Sequence, residues 1–150
     1  MTTLIESTTT VSLPTTRSLT RHIPTAARFL LGAAFLVFGL NGFLSFLPDP
    51  DVSTIPVDAL AFFGALMKTG YMFPLIKGTE VAVGLALVTN RLVPLSLVVL
   101  APVLVNIVLV HAFLAPAGLG IVLALVALTL YLAWVNRAAY RPLLAFRSAR

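Results

Sequence analysis

Four apolar blocks, residues 26–47, 71–88, 92–114 and 118–135, take up more than half of this 150-residue chain. A helix of about 20 apolar residues crosses a hydrocarbon core of roughly 30 Å. Inside lipid, every backbone N–H and C=O must find its partner within the protein, which leaves helices as the form for such blocks. The composition agrees: 59% of residues are hydrophobic and 10% charged, with a mean hydropathy of +1.05, outside the range of soluble domains. The expected fold is all-α, a transmembrane four-helix bundle over residues 25–140. No second folded domain is expected within these residues.

Charge sets the expected orientation. Arg17, Arg21 and Arg28 precede the first block, Arg91 lies between the second and third, and Arg137, Arg141, Arg147 and Arg150 follow the fourth. All fall on one side of a four-crossing chain, whereas Asp49, Asp51 and Asp58 share the first loop with Lys68. The positive-inside rule then puts both termini in the cytoplasm and the acidic loop outside, which in a bacterium means an inner-membrane protein. Basic residues beside helix ends meet anionic lipid headgroups, so the net charge of +5 calls for a lipid bilayer as partner and for no nucleic acid. Residues 1–24, rich in Thr and Ser, are expected to form a disordered cytoplasmic tail rather than a signal peptide, and residues 141–150 a basic cytoplasmic tail.

The chain has no cysteine. Thiol–disulfide exchange and cysteine-ligated iron–sulfur clusters are thereby excluded, and a redox role would need a cofactor, a quinone or a partner subunit. A metal site is not expected either, because the two histidines, His22 and His111, lie far apart in the sequence and lack convergent carboxylates.

Within the first loop, Pro48, Pro50 and Pro56 prevent a continuous helix. Asp58 is a good N-cap and Gly70 a good stop for the short run between them. About ten residues cannot span a bilayer, so this run is expected to be a short helix lying in the outer interface, either an anchor or a lid folded over the bundle mouth. Small residues mark expected close packing: Gly32, Gly39 and Gly42 in the first block, and Gly78, Ala82 and Ala86 in the second. Pro102 should kink the third.

Lys77 and Glu80 stand inside the second block. Ionisable groups at membrane depth cost about 2.5–3.5 kcal/mol each on insertion scales, and a spacing of three lets these two pair on one helix face. The pair is either a staple between helices or part of a ligand or proton site. At about 1.5 Å per residue, Asn41, Asn106, Lys77 and Glu80 come within about 10 Å of each other in depth, with His111 above them. Together they form the candidate site, a polar pocket opening outward, with no catalytic residue singled out.

Two runs carry a family resemblance: Phe-Gly-x-Asn-Gly at 38–42, and Thr-Gly-Tyr-x-x-Pro-x-x-Lys-x-x-Glu at 69–80. In these and in the surrounding residues 26–140 the chain resembles the DoxX-like family of small four-helix membrane proteins. The resemblance implies a four-helix bundle and, through relatives named as subunits of thiosulfate:quinone oxidoreductase, an accessory membrane subunit of a quinone-linked redox complex. On that reading the pocket takes a quinone headgroup, and the partners are redox subunits or further copies of the chain. The alternative is a non-enzymatic carrier or assembly factor whose pocket holds a small anion, a lipid headgroup or a client helix.

Overall fold

A computed structural model describes residues 22–48 and 50–142. The expected tails at 1–24 and 141–150 lie almost wholly outside these residues. All regular structure among the described residues is helical: α1 (Ile23–Leu44), α2 (Val57–Lys68), α3 (Met72–Val88), α4 (Val93–Phe113), α5 (Leu119–Val135) and a single turn, α6 (Arg137–Tyr140). Short 3₁₀ turns occupy Val52–Thr54 and Pro116–Gly118.

Helix α1 begins and ends about three residues earlier than expected. Pro24 lies at its start, where a missing N–H costs nothing and the fixed φ favours the helix. At the other end, Ser45 takes the left-handed conformation and donates its N–H to the Asn41 carbonyl, while the Asn41 side-chain oxygen accepts from the Leu47 N–H at 2.7 Å. Asn41 therefore ends the helix on both its backbone and its side chain, and the apolar residues 45–47 fall outside it.

Three helical segments are long and apolar enough to cross a bilayer: Ile23–Leu44, Val93–Phe113 and Pro116–Val135. A fourth reaches that length only when α2 and α3 are counted together, and they meet at an angle of 93°. The break is built by Gly70, whose φ of +75° favours glycine, and by Thr69. The Thr69 hydroxyl donates to the Leu66 carbonyl at 2.7 Å and accepts from the Met72 N–H at 3.0 Å, stitching the two arms of the bend. Gly70 is the stop that the sequence suggests. The N-cap is not: α2 starts after Pro56, and Asp58 lies within its first turn and makes no capping bond. In the loop before it, Asp51 accepts from the Ser53 N–H at 2.9 Å, a bond that holds its carboxyl below the ordinary aspartate range.

Helices α1 and α3 run antiparallel in the closest contact of the molecule. A Cβ at Gly84 would meet the backbone of Leu36 and Gly32; one at Gly32 would meet Leu87 and Val88; one at Gly39 would meet Val81 and Glu80. The expected stripe on the second block is displaced. Nothing lies within 4 Å of a Cβ at Gly78, and Ala82 is exposed. The face that α3 buries carries Glu80, Val83, Gly84 and Leu87, on the opposite side of the helix from Gly78 and Ala82. Gly84 is thus the small residue that packing requires.

Helix contacts continue from α3 to α4, α4 to α5 and α5 back to α1, around a core that includes Leu31, Phe35, Leu87, Leu100 and Leu132. Helix α4 stays continuous through Pro102. At the end bearing the N-terminus of α1, the Arg28 guanidinium donates to the carbonyls of Leu87 and Val88, placing a cation on the C-terminus of α3. The Tyr140 hydroxyl donates to the Pro94 carbonyl at 3.1 Å, tying α6 to the start of α4.

Candidate functional site

A cavity of about 350 Å³ lies in the half of the molecule that contains α2. Four phenylalanine rings line it, Phe35 and Phe38 from α1, Phe63 from α2 and Phe73 from α3. Its polar groups are Lys77 and Glu80 from α3 and Asn106 and His111 from α4. Four of the five residues singled out from the sequence therefore share one cavity.

Asn41 is the exception. It does not line this cavity, because its side-chain oxygen is engaged on Leu47. Its neighbours act instead. Phe38 supplies a wall, Gly39 makes room for Glu80, and Gly42 lies under the stem of Lys77, where a Cβ would come within 2.6 Å of Lys77 Cγ. The two sequence runs at 38–42 and 69–80 are thus packed on one another, and the small residues of the first set the position of the charged residues of the second.

The ion pair is formed as the spacing suggests. Lys77 Nζ donates to Glu80 Oε2 at 2.8 Å, with side-chain exposures of 22% and 4%. The carboxylate is covered by protein, whereas the ammonium reaches the cavity and lies 6.0 Å from the centre of the Phe73 ring. Lys77 has three N–H donors and spends one on Glu80, so donors remain for a ligand.

His111 is more closely tied to the site than its depth in the sequence suggests. Its Nδ1 lies 2.8 Å from the Ile107 carbonyl, which can only accept, so Nδ1 carries the proton. The opposite edge of the ring packs on Gly118, where a Cβ would meet Cδ2 and Nε2. Sequence reasoning missed Gly118 and the aromatic walls. Glycine in a helix–helix turn reads as a stop signal, and phenylalanines in apolar helices carry no mark of which face they occupy.

Among the described residues, no group of His, Cys, Asp and Glu is gathered for a metal ion. A second cavity, of about 270 Å³ between α4 and α5, is lined by Leu, Val and Ala with Thr129, whose hydroxyl is committed to the Leu125 carbonyl. It gathers no set of polar groups. No family model, curated protein or solved structure matches this chain.

Proposed function

We propose that this protein is a DoxX-like accessory membrane subunit of a quinone-linked redox complex, and that the cavity lined by Lys77, Glu80, Asn106 and His111 holds the ring of a quinone. The observation that carries this reading is the combination of flat aromatic walls with polar groups from two helices in one cavity. A volume of about 350 Å³ lies within the usual range of small-molecule sites, which are mostly apolar with a few convergent polar groups. A quinone supplies two-electron chemistry that side chains lack. The protein's part is to orient the ring by the free N–H donors of Lys77 and to keep water away with Phe38, Phe63 and Phe73.

The alternative of an anion carrier has less support. Lys77 is already neutralised by Glu80 at 2.8 Å, so the pair offers an incoming anion no net charge. A neutral ring with polar substituents suits it better.

On this reading α3 completes a fourth crossing together with the bent α2 arm, and both termini face the cytoplasm of a bacterial inner membrane. The test is a ligand-induced thermal shift on the detergent-solubilised chain, using short-chain benzoquinones and, for the alternative, sulfur oxyanions. Benzoquinones should stabilise the wild type and lose most of that effect with Lys77→Met and Asn106→Leu. Equal shifts in all three proteins would mean the polar groups serve packing alone.

A further inference from the structure

The donors and acceptors on the cavity wall are unequal, and the inequality discriminates between the two redox forms of a quinone. Lys77 has donors only. The Glu80 carboxylate is an acceptor but is 96% covered and already holds Lys77. The Asn106 amide carries both a donor and an acceptor and suits either form. His111 breaks the balance. With Nδ1–H committed to the Ile107 carbonyl, the neutral imidazole has its free lone pair on Nε2, which can only accept.

Resting on the quinone-site reading, we propose that His111 Nε2 is the acceptor for a ligand hydroxyl, and that the site prefers the reduced, hydroxyl-bearing hydroquinone over the quinone. A quinone oxygen set against Nε2 would bring two lone pairs together and leave the imidazole unpaired inside an apolar cavity. A hydroquinone O–H pairs with it and still offers its second oxygen to Lys77.

Gly118 is the positioning residue for this contact. An alanine there would bring its Cβ within 2.6 Å of Nε2, so the ring would have to leave its place without any chemical group being removed.

Three small ligands separate the possibilities in an anaerobic thermal-shift or calorimetric titration of the full chain: a short-chain benzoquinone, its hydroquinone, and the dimethyl ether of that hydroquinone. The ether keeps the ring and its oxygens but has no O–H. Wild type should bind the hydroquinone about tenfold more tightly than the other two, the size of one good hydrogen bond. His111→Phe keeps a ring and loses the acceptor, so it should erase this preference, weakening hydroquinone binding and, with the opposing lone pair gone, leaving benzoquinone bound no more weakly than in wild type. His111→Gln, which restores an acceptor oxygen, should recover part of it, and Gly118→Ala should behave like His111→Phe.

A measurement on the unaltered site guards against misfolded variants. His22→Gln removes the only other histidine, after which the ¹⁵N spectrum of the imidazole reports His111 alone. Protonated Nδ1 with bare Nε2 is expected, and Nε2–H would overturn the proposal. Equal affinity for all three ligands in wild type would also overturn it while leaving the quinone site standing. Failure of every ring ligand to bind would remove the site and the proposal together.

Discussion

The aliphatic stem of Lys77 rests on Gly42: a Cβ at position 42 would stand 2.6 Å from Lys77 Cγ and 2.7 Å from Cδ. The charge that faces the cavity is therefore aimed by a residue on another helix that has no side chain. Glycines across α1 and α3 consequently differ in what a methyl group would do. Gly84→Ala drives its Cβ into the backbone of Leu36 and Gly32 and should cost about 2–3 kcal/mol or more, because backbone cannot step aside. Gly42→Ala meets a flexible side chain and should cost about 1 kcal/mol while displacing Lys77 and weakening ligand shifts. Gly78→Ala meets nothing and should be neutral or stabilising by about 0.5–1 kcal/mol through helix propensity. Unfolding of the three variants in mixed micelles gives the order directly, and a Gly78→Ala loss as large as that of Gly84→Ala would contradict it.

Lys77 and Glu80 should behave as one unit. Glu80→Gln leaves an unpaired ammonium beside apolar walls, and Lys77→Met leaves a covered carboxylate, whereas the double variant leaves neither. The double variant should be more stable than the sum of the single losses implies, by about 1–3 kcal/mol of coupling. Thermal denaturation of the four proteins measures this, and additive losses would mean that the 2.8 Å contact has no energetic weight.

Arg28 closes the opposite end of the α1–α3 pair. Arg28→Met frees the carbonyls of Leu87 and Val88 and should destabilise the protein by about 1–2 kcal/mol, with Arg28→Lys recovering only part because both bonds come from Nη1, which the shorter lysine side chain does not reach. Denaturant midpoints of the three proteins provide the comparison. A lysine variant equal to wild type would show that charge alone, and not the reach of Nη1, is what matters.

The orientation of the chain is open to a direct labelling test because it has no cysteine of its own. Single cysteines at the exposed positions Ser53 and Ala139 should differ, with an impermeant thiol reagent applied to intact cells reaching the first and not the second. Labelling at Ala139 alone would invert the topology.

Much of this architecture can be read in the residues. The apolar blocks announce the long helices, the Lys–x–x–Glu spacing announces the ion pair, and Gly70 announces the end of α2. What the residues do not announce depends on neighbours distant in sequence. Asn41 looks like a ligand group at the same depth as Lys77, yet α1 ends just beyond it, and a helix end takes up its side-chain oxygen first. Gly78 looks like a packing residue, but only the azimuth of α3 decides that Gly84 meets α1 instead. The same holds for Phe63: nothing in residues 57–68 tells whether α2 lies flat in an interface or turns an aromatic ring into a cavity, since that depends on a backbone bend a few residues later.

That bend has a mechanical consequence. Of the residues of α2 only Ala59 is buried, although Phe63 and Leu66 form part of the cavity wall. Helices α1 and α3 are bound to each other by backbone-close packing at Gly32, Gly39 and Gly84, while this arm joins α3 through Thr69 and Gly70, held there by the two bonds of the Thr69 hydroxyl. Widening the chamber takes a change in a few torsion angles rather than the parting of spans. On the proposed reading of the cavity, the rate at which a ring enters would be set at this bend, apart from the packing that holds α1 and α3 together.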